Sequence, residues 1–170
     1  MIKYLMICLC ALIVAGLPQT ALRAEPNATI APVLAANEGW LNGSVNAATL
    51  RDKVVLVDVF TFGCYNCRNV VPNLRALRQK GNADLVIVGV HSPETPYEHV
   101  RANVVQNVAT LGIVWPVALD NSFAIWNAYG VDAWPTQLLF DRHGRLRKTI
   151  VGDSQDAEVN ATLDRLLAEK

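Results

Sequence analysis

The sequence predicts an α/β domain with a mixed central β-sheet flanked by helices. Three observations carry this. Two continuous β-branched runs, Lys53–Phe60 and Leu85–Val90, read as strands buried on both faces of a sheet. Between them, Val70, Val71, Leu74 and Leu77 recur at helical spacing, so the three segments form a β-α-β unit with parallel strands and a right-handed crossover. Near the C-terminus, Gln137–Phe140 and Leu146–Val151 flank Asp141-Arg-His-Gly144, a turn sequence that makes an antiparallel hairpin.

The remaining elements follow in order. The chain has 170 residues, enough for one domain with a real core. Lys3, the apolar run Leu5–Leu17, Pro18 and Ala21-Leu22-Arg23-Ala24 have the three-part layout of a secretory signal, and the run is short for a membrane-crossing helix. Residues 1–24 are therefore expected to be a signal peptide or an uncleaved anchor. Residues 25–38, rich in Ala, Pro and Asn, are expected to be a linker, and 39–170 the folded domain. Gly81-Asn82 ends the first helix. A helix is predicted over Glu98–Leu111, with Val100, Val104, Val105 and Val108 on its inner face and Gly112 as its stop. Val117–Leu119 is a short strand and Phe123–Tyr129 a short helix, which together with the preceding helix insert into the β-α-β unit's continuation. Asp156–Leu167 closes the chain as a helix with Val159, Leu163, Leu166 and Leu167 inward.

Fifteen basic residues balance fifteen acidic ones. No basic stripe is present, so nothing argues for nucleic acid. Cys8 and Cys10 fall in the apolar leader, and the domain keeps only Cys64 and Cys67. A pair separated by only two residues closes too small a loop to stabilise a fold, so its use is chemical. It lies where a buried strand meets a helix. Free amides and the positive end of the helix dipole stabilise a thiolate there. Residues i and i+3 of a first turn share a face, which brings the two sulfurs together. Cys64, nearest the helix start, is the expected attacking thiolate and Cys67 the resolving thiol.

The stretch Val54-Val-Leu-Val-Asp-Val-Phe-Thr-Phe-Gly-Cys-Tyr-Asn-Cys67 resembles the active-site strand and helix start of exported thioredoxin-like proteins of the TlpA type. Gly89-Val-His-Ser-Pro-Glu94, Trp115-Pro-Val-Ala-Leu-Asp-Asn121 and Trp126-Asn-Ala-Tyr-Gly130 are similar to a narrower group, the thioredoxin-like periplasmic domain of DipZ-type cytochrome c biogenesis proteins. The resemblance runs from about Gly39 to the C-terminus. It implies a thioredoxin fold and thiol–disulfide oxidoreductase activity without a cofactor or metal. It implies thiol-bearing exported proteins as substrates and a membrane thiol electron donor as partner, the chain acting as a monomer. Carried over by position, Cys64 and Cys67 are the redox pair, and Pro135 is a cis-proline at the substrate groove with Trp134 and Thr136 beside it. Asp58 is a buried carboxylate under the second cysteine, able to shuttle its proton. Two positions depart from thioredoxins. Gly63 stands where they usually carry Trp, and Tyr65-Asn66 replaces Gly-Pro.

Two other chemistries fit fragments of the pattern. Thr61, three residues before Cys64, matches a thiol peroxidase, though Val57 stands where that family has proline. Two thiolates with His91, His99 or His143 would suit a soft-metal carrier. His91 and Glu94 are expected to be loop residues near the site with ordinary hydrogen bonds.

Overall fold

A computed structural model describes residues 28–36 and 38–169. The leader expected over residues 1–24, and residues 25–27, lie outside these. The elements are α1 (Ala31–Leu34), β1 (Trp40–Leu41), β2 (Val54–Phe60), α2 (Tyr65–Gln79), β3 (Leu85–His91), a 3-10 turn (Pro96–His99), α3 (Arg101–Thr110), β4 (Val117–Leu119), α4 (Ala124–Ala128), β5 (Thr136–Phe140), β6 (Leu146–Val151) and α5 (Asp156–Ala168). Six strands form one sheet in the order β1-β4-β3-β2-β5-β6. β2, β3 and β4 run parallel, while β1, β5 and β6 add antiparallel pairs at the two sides.

β2 is central and buried along its whole length, as a strand covered on both faces requires. Its period of two divides the core. Val54, Leu56 and Phe60 face one layer with Val70, Leu74 and Leu77 of α2, Val104 and Val108 of α3, and Val159, Leu163 and Leu166 of α5. Val55, Val57 and Val59 face the other, with Val33 of α1, Ile125 and Tyr129 near α4, and Leu138 and Phe140 of β5. α2 tolerates Pro72 in its interior, where the missing N–H leaves the turn above it one hydrogen bond short.

Two expectations are corrected. The segment assigned to a linker is docked on the domain through part of its described length. Ile30 and Val33 are buried, Ile30 N–H donates to Gly144 O (2.8 Å), and the Tyr129 hydroxyl donates to Thr29 O (2.7 Å). Its Ala and Pro content reflects a four-residue helix pressed on the sheet. The helix expected over 98–111 is broken. Pro96–His99 is a 3-10 turn, Val100 is extended (φ −77°, ψ 110°), and α3 begins at Arg101. Within α3 Val104 and Val108 share the buried face and Val105 lies off it, while Val100, at the break, faces solvent. Leu167 at the last turn, half-buried, packs against the α5 side of the core as expected.

Candidate functional site

The C-terminal ends of β2, β3 and β4 and the start of β5 lie at one pole of the sheet. That is where open α/β sheets place their chemistry. Past Phe60 the chain turns through Thr61, Phe62 and Gly63 to Cys64, the N-cap of α2 (φ −69°, ψ 123°). The Cys67 N–H donates to Cys64 Sγ (3.2 Å), so the sulfur fills the place a Ser or Asp oxygen takes at other helix starts. A thiolate there has an amide and the dipole of a 15-residue helix behind it. Cys64 is half-buried and Cys67 buried, both as free thiols. Burial pushes the Cys67 thiol far above its ordinary range, helped by its hydrogen bond with Cys64 and by the nearby Asp58 carboxylate.

Asp58 is 1% exposed and faces the α2 layer beneath Cys67. Loss of water pushes its carboxyl up to about 7, and Gln137, its cross-strand neighbour, offsets a part of this. Asp58 Oδ1 and Gln137 Nε2 have no hydrogen-bond partner. With no donor on Oδ1 the site favours the neutral acid, and with the carboxyl near 7 both forms are present at neutral pH.

The Trp134–Pro135 peptide is cis. Thr136 pairs with Val59, which sets Pro135 across from the end of β2. Pro135 O accepts from Gly152 N–H (2.8 Å). The main-chain amide and carbonyl of Trp134 take no backbone partner among the described residues. The Trp134 indole donates to Ser92 O (3.0 Å) and packs on Trp126 (centroids 4.4 Å apart). Ser92 in turn donates its hydroxyl to Asp120 Oδ2 (2.9 Å), and Asp120 accepts the amides of Ile125 and Trp126. Thr136 is buried, with its hydroxyl donating to Ala133 O (2.7 Å). Of the three groove residues expected, Trp134 is the one with surface and free backbone to offer.

The wall behind Cys64 was not anticipated. Glu98, 2% exposed, reaches from the 3-10 turn to the loop ahead of the cysteine. Its Oε1 accepts the Gly63 N–H (2.9 Å), and its Oε2 accepts those of Glu94 and Thr95 (2.7 Å each). Burial raises its carboxyl, but the Thr61 hydroxyl and the three amides outweigh that and hold it below the usual carboxylate range. A Cβ at position 63 would collide with Glu98 Oε1, so glycine replaces the usual tryptophan for a steric reason. Thr95-Pro-Tyr-Glu98 is a capping box. That local signal was available in the sequence; its second target, Gly63, lies 35 residues away.

His91 ends β3 fully buried, stacked on Phe62 and edge-on to Phe60 (both 5.5 Å). Burial lowers its pKa to about 4, so the ring is neutral near pH 7. Its Nε2 lies 3.4 Å from the Thr61 hydroxyl, which turns toward this ring and Glu98. Thr61 meets Cys64 through its carbonyl, which accepts the Cys64 N–H (3.3 Å). Glu94 is exposed and contributes its amide rather than its side chain. Among the described residues, no three His, Cys, Asp or Glu side chains converge on a common metal position.

A cis-proline facing a CxxC helix start, on a mixed sheet with helices on both faces, defines a thioredoxin-fold dithiol protein. The family model described as Redoxin matches residues 31–166, and the chain belongs to that family. Protein DipZ of Mycobacterium tuberculosis (strain CDC 1551 / Oshkosh) is 38% identical over 142 residues, covering 81% of this chain and 20% of the relative. The chain thus spans about a fifth of that relative's length. Thiol-disulfide oxidoreductase YkuV of Bacillus subtilis is 27% identical over 139 residues, covering 81% of this chain and 94% of the relative. The solution structure of a thioredoxin-like protein in the oxidized form superposes with a TM-score of 0.73 at 26% identity, covering 87% of this chain and 97% of that one.

Proposed function

We propose that the chain is an extracytoplasmic thiol–disulfide oxidoreductase that reduces disulfides of exported proteins. The observation that supports it best is the half-buried Cys64 sulfur at the start of α2, backed by the Cys67 amide, with Asp58 near the Cys67 thiol. In this reading the Cys64 thiolate attacks one sulfur of a substrate disulfide. A Cys64–substrate bond forms, the substrate S–S bond breaks, and the first substrate thiol leaves. Cys67 passes its proton to Asp58 and attacks Cys64 Sγ. The Cys64–Cys67 disulfide forms, and the second substrate thiol departs with a proton. Substrate gains two electrons and the protein loses two. A membrane dithiol donor returns them, because an oxidising compartment supplies none. Trp134 offers its main chain to an extended substrate segment beside Pro135 and Thr136.

Residues 1–24 serve in this reading as signal or anchor, and 39–170, with the docked 28–36, as the catalytic domain, acting as a monomer. The test is equilibration of the Cys64–Cys67 pair with glutathione. A potential near roughly −270 mV supports a reductase; one near roughly −120 mV overturns that direction. Failure to form the intramolecular disulfide overturns the oxidoreductase reading itself.

A further inference from the structure

Glu98 takes no part in the exchange just described, yet its carboxylate is the group built most closely around the loop that presents Cys64. It is buried, and among the described residues it forms no ion pair. Its two oxygens are held by the amides of Gly63, Glu94 and Thr95. Position 63 has room for no side chain against it. The 3-10 turn is thereby locked to the residue immediately before the nucleophile.

The other charged and titratable groups nearby do not cancel this charge. Asp58 and Cys67 lie below, from β2 and α2. His91 of β3 is neutral, and its ring lies between Phe60 and Phe62. Glu94 and His99 sit on the outer side of the turn, exposed to solvent. Among the described residues, Arg68 of α2 is the cation that reaches the loop, donating to Phe62 O (3.3 Å), and its side chain is exposed and therefore screened. A buried negative charge bonded to the amide of the residue before Cys64 opposes a second one on that sulfur. The thiolate exists only in the reduced protein. Whatever disfavours it raises the energy of the reduced form and makes the pair a stronger electron donor.

We propose that Glu98 is a positioning residue of the redox centre, fixing the Cys64 loop through the Gly63 amide and biasing the pair toward reduction of substrate. This rests on the oxidoreductase reading above. The test is Glu98→Gln in the full chain, which keeps an acceptor for Gly63 and removes the charge. The glutathione ratio at half-oxidation should move about tenfold, toward a more oxidising pair. Alkylation of Cys64 by iodoacetamide between pH 6 and 7, the window of roughly neutral pH, should become several-fold faster. Thr95→Ala, which loosens the same turn but keeps the charge, should move neither readout. An unchanged equilibrium and alkylation profile in folded Glu98→Gln, or a shift the other way, overturns the proposal. If that variant does not fold, Gly63→Ala, whose methyl pushes the carboxylate off the amide, is read instead: a smaller shift in the same direction supports the proposal and none defeats it. The wild type reports separately, since a wild-type pair that never closes a disulfide defeats the oxidoreductase reading whatever Glu98 does.

Discussion

The floor beneath Cys67 and the wall behind Cys64 each contain one buried carboxylate, and the two are in opposite condition. Asp58 is 1% exposed with an unpartnered oxygen and a carboxyl raised to about 7. Glu98 is 2% exposed with both oxygens occupied by amides and a carboxyl held low. Equal burial therefore does not decide ionisation; the number of donors aimed at the oxygens does. An under-satisfied acid can exchange a proton near neutral pH. A saturated one is a permanent charge and a clamp.

The contrast extends to the two sulfurs, and the largest effect is expected there. Cys64→Ser should abolish disulfide reduction, while Cys67→Ser should accumulate a covalent adduct with substrate, read by non-reducing gels and mass spectrometry. An adduct forming on Cys67 in Cys64→Ser, at the wild-type rate, would exchange their roles.

Asp58→Asn tests the floor. The native carboxyl holds its proton between pH 3.8 and about 7, a range in which the unfolded one has lost it. Stability from this group is thus present at low pH and lost as pH rises through about 7. The variant should be more stable than wild type at pH 8, by up to about 4 kcal/mol if the whole shift is realised. His91 works in the opposite sense: its native pKa near 4 lies below its ordinary value, so its stability is lost as pH falls. Urea titrations of Asp58→Asn from pH 4 to 8 should therefore show stability rising over the lower half of that range. Release of the mixed disulfide should slow about tenfold or more near pH 7 in the same variant.

Glu98→Ala should have the opposite sign. Three amides lose their acceptor, at a cost of about 2–3 kcal/mol in denaturation midpoints at pH 7. A stabilised Glu98→Ala would erase the distinction between the two carboxylates. Last and smallest, Tyr129→Phe removes the hydroxyl bonded to Thr29 O. It should lower stability by about 1 kcal/mol and raise hydrogen exchange in residues 28–30 while leaving disulfide reduction unchanged.

The parts of the fold that sequence periodicity reveals are those with uniform surroundings. β2 is apolar throughout because both faces are covered, and α2 announces itself through Val70, Val71, Leu74 and Leu77. Cys64, Cys67, Asp58 and Pro135 are legible because each is placed by neighbours close in sequence or by resemblance. β1 has two residues and α1 four, too few to display a period. Val100 looks like a core residue at helical spacing until the break after His99 is known, and Val105 adjoins the buried Val104 without sharing its face. Glu98 escaped because its task is to receive main-chain amides, and a main-chain donor leaves no mark in the residue code. Only Gly63 hinted at it, as an unexplained departure.

The packed N-terminal segment fixes where the described chain enters the domain. Residues 28–30 join the chain at the β5–β6 turn, through Ile30 to Gly144 and Thr29 to Arg145. The last turn of α5 is fastened to the same turn, where Arg142 donates to Leu167 O and Glu169 O. That turn follows the far end of β5, away from Pro135 and Cys64. Both leads of the described chain thus exit from the pole opposite the sulfurs. A chain or surface joined at either lead would meet the domain on the side away from the thiols and leave the reactive face open. Relatives in which the matching stretch is about a fifth of the whole are built in a way this wiring permits.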